Sequence, residues 1–183
     1  MSKAGKFNKV NCVPVLLIEK GWLGFEKRVQ MYQIQGQLTY DWQIDGVDYR
    51  LTLPDGFTFD GASIPTWAIW LSDILFFTDT IEHYGTHWPA AACHDLGFMY
   101  RGRLPEGALT KKVNGEWVDA AYGDDGKPLF GFKEWNKLFA RQLRELGIGK
   151  GTRRAMYLAV ASPAGWLSWI TGKVPDNARP KRL

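Results

Sequence analysis

A chain of 183 residues that is 45% hydrophobic and 23% charged can bury a core of its own, which excludes an intrinsically disordered chain. The net charge of +4 suits an anionic partner, yet Lys and Arg are spread out except for clusters at 150–154 and 179–182, and no nucleic-acid recognition motif accompanies them. Two cysteines, Cys12 and Cys93, cannot build a disulfide framework and sit in no metal-ligand or redox spacing, so synthesis in a reducing cytoplasm is expected.

The first residues, MSKAGKFNKVNCVPVLLIEKGW, carry an apolar run too short for a secretory signal. From 10 to 65 the pattern is extended. Residues 13–18 are apolar, 29–42 alternate through Met31, Tyr32, Ile34, Leu38, Tyr40 and Trp42, and Asp45-Gly46 is a two-residue hairpin signal before a strand at 49–53. Pro54-Asp55-Gly56 is a second turn, leading to 57–59 and then to the loop DGASIP at 60–65. These elements predict a small N-terminal antiparallel sheet. In the loop, Asp60 and Ser63 suit capping of a helix that begins near Pro65.

Beyond Pro65 the signal turns helical. Residues 66–77, TWAIWLSDILFF, are apolar nearly all round, so this helix is buried or lies against an apolar surface. His83 and His87 are four apart, but Gly85 between them argues for loop over a helical metal pair. A helix follows with Pro89 at its start, small residues at 90–93 and aromatics at Phe98 and Tyr100.

Residues 102–131 are polar and turn-rich, with Asn114-Gly115 and Asp125-Gly126, and predict a hairpin or loop excursion between helices; the acidic residues there suit turn chemistry better than calcium, because the spacing of a calcium loop is missing. Residues 131–147 form an amphipathic helix whose inner face carries Phe132, Trp135, Leu138, Phe139, Leu143 and Leu146, with Gly147 as the C-terminal cap and Asn136 at the edge of the stripe, where an amide needs a partner. A last helical stretch runs from 152 to about 171, with Arg153 and Arg154 at its start and Trp166, Trp169 and Ile170 near its end; it is either a packing helix or an interfacial element. Ser162, Pro163 and Gly165 interrupt its apolar run, so no clean membrane span is expected, and 173–183 is a basic tail. With sheet first and helices afterwards, and no composition break, the expectation is one domain of the α+β class.

The strongest functional pair is His94 and Asp95 in AACHDLGFMYR. Neighbours on a helix point about 100° apart, so the two can flank one groove, the imidazole handling a proton and the carboxylate a cation. The alternative is a core histidine with satisfied hydrogen bonds beside a solvated aspartate. A triad of Ser63, His94 and Asp60 is disfavoured, because Ser63 lacks the Gly-x-Ser-x-Gly elbow.

Two motifs, GFTFDGASIP at 56–65 and AAACHDLGFMY at 90–100, are followed by WNKLFARQLRELGI and RRAMYLAV. The series resembles a bacteriophage and prophage family catalogued as the domain of unknown function numbered 1353. Phe59 stands where that family usually has Thr, Asn136 where it usually has Asp, and the 102–131 excursion is longer than typical. The series also resembles, locally, the prokaryotic and fungal branch of calcium-dependent secreted phospholipases of type A. That resemblance implies His94 as the base, Asp95 as a metal ligand, Asp60 and Gly61 as the loop completing the site, and Asn136 as the position that orients the imidazole. It also implies Ser63 and Tyr100 near the substrate, and a divalent cation, calcium in those enzymes, as cofactor. The functional expectation is a phage-encoded, metal-assisted hydrolase made in the host cytoplasm and acting on an ester of the host envelope, with peripheral membrane contact. The alternative is a non-catalytic virion or tail component whose partners are other phage proteins. Convergence of Asp60, His94 and Asp95 on one accessible cleft separates the two, and a His94 sealed in the core would fail the enzyme reading.

Overall fold

The structure is a computed structural model that describes residues 4–20, 26–59 and 86–171, the side chains of 17–20 and 26–30 excepted. The 60–65 loop with Asp60, Gly61 and Ser63, the helix expected at 66–77, His83 and the 173–183 tail lie outside the described residues.

The described strands pair antiparallel and form two sheets. Strands β1 (Lys6–Phe7), β4 (Leu38–Ile44), β5 (Val47–Leu53), β7 (Leu109–Val113) and β8 (Glu116–Asp119) make a five-stranded sheet in the order β1-β4-β5-β7-β8. Strands β2 (Asn11–Lys20), β3 (Glu26–Gln35) and β6 (Thr58–Phe59) make a three-stranded sheet in the order β2-β3-β6. The alternating run expected at 29–42 is therefore two strands in different sheets. Gly36, at φ +93°, is where the chain leaves one for the other, and the Asp55 carboxylate accepts a 2.7 Å hydrogen bond from its N–H. Pro14 is tolerated in β2 because that strand is an edge.

Asp45 and Gly46 have φ of 49° and 83°, the left-handed pair of a two-residue hairpin turn, and they set the β4–β5 register that places Trp42 opposite Tyr49. Asn114 and Gly115 repeat this chemistry, at 51° and 91°, between β7 and β8. The excursion expected at 102–131 thus contains a true hairpin, but it is part of the main sheet: β7 pairs with β5, Leu51 opposite Leu109. The Asp119 carboxylate ties it down by accepting hydrogen bonds from the N–H groups of Gly107 at 2.8 Å and Ala121 at 3.3 Å.

Four helices are described: α1 (Trp88–Met99), α2 (Phe132–Glu145), α3 (Lys150–Val160) and α4 (Pro163–Thr171). The α+β class holds: six strands come before the first described helix, the β7–β8 hairpin joins the five-stranded sheet after α1, and the remaining helices follow. The stretch expected as one helix from 152 to 171 is two. Ser162 closes the first by donating its hydroxyl to the Ala159 carbonyl at 2.6 Å and opens the second by accepting from the Gly165 N–H at 3.2 Å, with Pro163 in the first turn.

The main core lies between the five-stranded sheet and α1 and α2: Leu38, Tyr40, Leu51 and Leu53 from the sheet meet Leu96 of α1 and Trp135 of α2, all buried. A second core fills the space among α1, α2 and α3, where Ala90 and Ala91 let Phe139, Leu143 and Met156 approach closely. Gly97 serves the same end, since a Cβ there would run into the Trp135 indole. Tyr40, on β4, is locked to α2 by donating its hydroxyl to Glu145 at 2.5 Å; Glu145 also accepts from the Gly5 N–H at 2.8 Å and from Arg141 at 2.9 Å. Burial, together with the Glu145 hydrogen bond and charge, pushes the Tyr40 phenol well above its ordinary range.

Candidate active site

The site is built where α1 faces α2. After Trp88 and Pro89, helix α1 continues with the small residues 90–93 and carries no acidic or basic side chain in its first or last turn, which allows its His94 side to pack inward. Helix α2 is amphipathic and buries Trp135, Asn136, Leu138, Phe139, Gln142 and Leu143. Packing the two together joins a histidine and an amide that are far apart in the chain: His94 Nε2 lies 3.0 Å from Asn136 Oδ1.

The orientation of that amide is fixed from its other end. Asn136 Nδ2 donates to the Val160 carbonyl at 3.5 Å, at the end of α3, which leaves Oδ1 as the atom facing the imidazole. An oxygen can only accept, so the tautomer that makes this bond carries the His94 proton on Nε2 and leaves Nδ1 unprotonated. Nδ1 faces the Asp95 side, 3.9 Å from Asp95 Oδ1, which is beyond hydrogen-bond length.

The imidazole is closely enclosed. Its ring centroid lies 4.0 Å from that of Phe98, one turn further along α1, and 4.7 Å from that of Phe139 on α2. The side chain is 7% exposed, against 22% for Asp95, so the carboxylate is the more open member of the pair. Burial lowers the His94 pKa from 6.5 to about 4, and the hydrogen bond with Asn136 opposes this without overcoming it. The ring is therefore neutral at pH 7, and the contact with Asp95 is not an ion pair.

Of the residues nominated from the sequence, the structure joins His94, Asp95 and Asn136. Asp60, Gly61 and Ser63 lie outside the described residues, following directly on Phe59, whose ring stacks 6.1 Å from that of Trp88 at the start of α1. Tyr100 is the C-terminal cap of α1, its N–H bonded to the Leu96 carbonyl at 3.2 Å, and lies six residues, about 9 Å of helix rise, beyond His94. Among the described residues no group of three or more His, Cys, Asp or Glu side chains is placed to hold a metal ion. Asp95 is the one predicted ligand that is described, and its partly exposed carboxylate has the hard oxygens that a cation such as calcium takes.

Phe98 and Phe139 were not nominated from the sequence, although their spacing carries the signal: each sits one helical turn from a site residue, Phe98 after His94 and Phe139 after Asn136. Cys93 and Gln142 form a second buried polar pair between the same helices. Burial pushes the Cys93 thiol well above its usual range, a hydrogen bond with Gln142 pulling the other way, so this is a packed thiol and not a nucleophile.

The family model described as Protein of unknown function (DUF1353) matches residues 33–160, which span β4, β5, the β7–β8 hairpin and the whole of the His94, Asp95 and Asn136 arrangement. The chain belongs to the DUF1353 family. No curated protein and no solved structure matches it. In this DUF1353 protein the matched segment ends at Val160, the residue whose carbonyl holds Asn136, so the family segment contains every partner of the imidazole described above.

Proposed function

We propose that this DUF1353 protein is a phage-encoded hydrolase that cleaves an ester of the host envelope, in the manner of a phospholipase, with His94 as general base. The observation that carries the reading is the placement of the two imidazole nitrogens: Nε2 lies 3.0 Å from Asn136 Oδ1, which suits the tautomer with its proton on Nε2, and Nδ1 lies on the Asp95 side. A water at Nδ1 would give up its proton to that nitrogen as it attacks the ester carbonyl, and the same proton would then pass to the departing alkoxide. Asn136 holds the ring through the cycle, while Phe98 and Phe139 keep bulk water from its faces.

Burial keeps His94 neutral through the neutral range but weakens it as a base and narrows the access of water, so the reading requires the Nδ1 edge, on the side of the more open Asp95, to admit one water. An amide orients the imidazolium formed in the reaction but does not neutralise it, so the reaction is expected to be slower than with a carboxylate at 136. A divalent cation held by Asp95 together with Asp60 and Gly61 would supply positive charge to the developing oxyanion. Ser63 and Tyr100 are proposed to contact the substrate, and the site of action is the host membrane.

The test is release of fatty acid from mixed anionic liposomes, with calcium and with chelator, by wild type and His94→Ala side by side. Calcium-dependent release that disappears in His94→Ala supports the reading. Release no greater from wild type than from His94→Ala overturns it and leaves a non-catalytic virion or tail component as the account of the family fold.

A further inference from the structure

Helix α4 exposes more apolar surface than a nine-residue surface helix needs. Trp166 is 48% exposed, Leu167 57% and Ile170 43%, and at 100° per residue these three share one side of the helix. Trp169, on the other side, is buried; its ring meets Phe98 of α1 edge-on at 5.0 Å and Phe132 of α2 at 5.8 Å. Trp166 rests edge-on against Phe132 at 5.2 Å, so the exposed side is held on a firm base. Helix α3 adds a stripe of Lys150, Arg154 and Leu158 at four-residue spacing, all exposed.

Along this stretch of the chain the charge is of one sign. Between Leu146 and Pro175 the sequence has no Asp or Glu, and it has Lys150, Arg153, Arg154 and Lys173. Aromatic and branched side chains set among cations suit an anionic bilayer, whose acyl boundary takes the apolar groups and whose headgroups take the charges. A second copy that met this surface with the same surface would set like charge against like. No described helix is long and apolar enough to cross a membrane, and α4, about 13 Å long, fits lying in the interface.

We propose that α4, with the basic stripe of α3, is a docking surface for an anionic phospholipid bilayer. The inference stands apart from hydrolysis, although the two surfaces are adjacent: Phe98 touches both the docking helix, through Trp169, and the His94 ring. A chain docked in this way has its His94 site one aromatic side chain from the membrane-bound helix.

The experiment is co-sedimentation of the full chain with phosphatidylglycerol-containing vesicles and with phosphatidylcholine vesicles, alongside tryptophan emission. The expected result is binding to the anionic vesicles that weakens with salt, a blue shift of emission, and at least a tenfold weaker affinity in the double variant Leu167→Gln/Ile170→Gln, which keeps the Trp166–Phe132 contact and whose thermal unfolding is measured beside wild type. His94→Gln should bind like wild type, so loss of hydrolysis and loss of docking read out separately. Equal binding by the double variant, equal binding to both vesicle types, or no binding at all would each overturn the proposal. So would a concentration-dependent dimer that the double variant abolishes.

Discussion

His94 Nε2 and Asn136 Oδ1, 3.0 Å apart, form a hydrogen bond between two buried side chains that ties α1 to α2. With the Asn136 amide also bound to the Val160 carbonyl, one polar side chain bridges three helices. Replacing Asn136 with Leu leaves the Nε2–H without an acceptor in an enclosed site, which costs about 1–3 kcal/mol. Urea denaturation should show this as a lower midpoint with an unchanged slope. A midpoint equal to that of wild type would mean the bond contributes nothing net.

Asn136→Asp puts a carboxylate where the amide oxygen now faces the imidazole. A carboxylate at hydrogen-bond distance favours the imidazolium, so the His94 pKa should rise above about 4. The shift is measurable by following the ring protons in NMR across an acid titration. Under the hydrolase reading the same variant should release fatty acid faster than wild type by an order of magnitude or more. An unmoved pKa would show that the carboxylate does not take the amide's place beside the ring.

The depressed pKa of His94 also makes stability depend on pH. The ordinary value is 6.5 and the folded value about 4, so the unfolded chain takes up a proton first as pH falls. The contribution of His94 is fully present above pH 6.5 and is lost progressively down to about pH 4, on the order of 3 kcal/mol in all. Unfolding free energy measured across that interval should rise with pH more steeply in wild type than in His94→Gln. Parallel curves would mean that the folded and unfolded chains titrate this group alike.

Gly97, next but two after His94, is needed for what it lacks. Its backbone is helical and any residue could adopt it, but a methyl group would run into the Trp135 indole. Gly97→Ala is therefore expected to destabilise by about 1–3 kcal/mol, despite the better helix propensity of alanine. Thermal unfolding measures the loss, and a stabilised variant would show that Trp135 can move aside.

Glu145 gathers hydrogen bonds from Tyr40, Gly5 and Arg141 while its side chain is only 10% exposed. Glu145→Ala strands the Tyr40 hydroxyl and weakens the hold on Arg141, a loss of about 3 kcal/mol. The milder Glu145→Gln removes the charge that raises the Tyr40 phenol, so phenolate absorbance should appear at lower pH than in wild type. Unchanged phenol titration would mean that burial alone sets it.

Local chemistry was legible in the sequence where a few adjacent residues decide the outcome. Asp45-Gly46 and Asn114-Gly115 name their turns because few other residues accept positive φ there, and the 3.6-residue pattern of 132–145 predicts both the helix and the side it buries. His94, Asp95 and Asn136 could likewise be nominated from residue type and motif. What only the tertiary structure decided was set by partners distant in the chain. The alternating run of 29–42 was split between two sheets, and the 109–119 hairpin was joined to β5, because strand pairing depends on what the other face of each strand can bury. The enclosure of His94 by Phe98 and Phe139, and the assignment of its proton to Nε2, follow from the packing of α1 on α2 and of α2 on α3. No property of the dipeptide His94-Asp95 fixes its exposure or its pKa, since both come from the side chains that the fold brings around it.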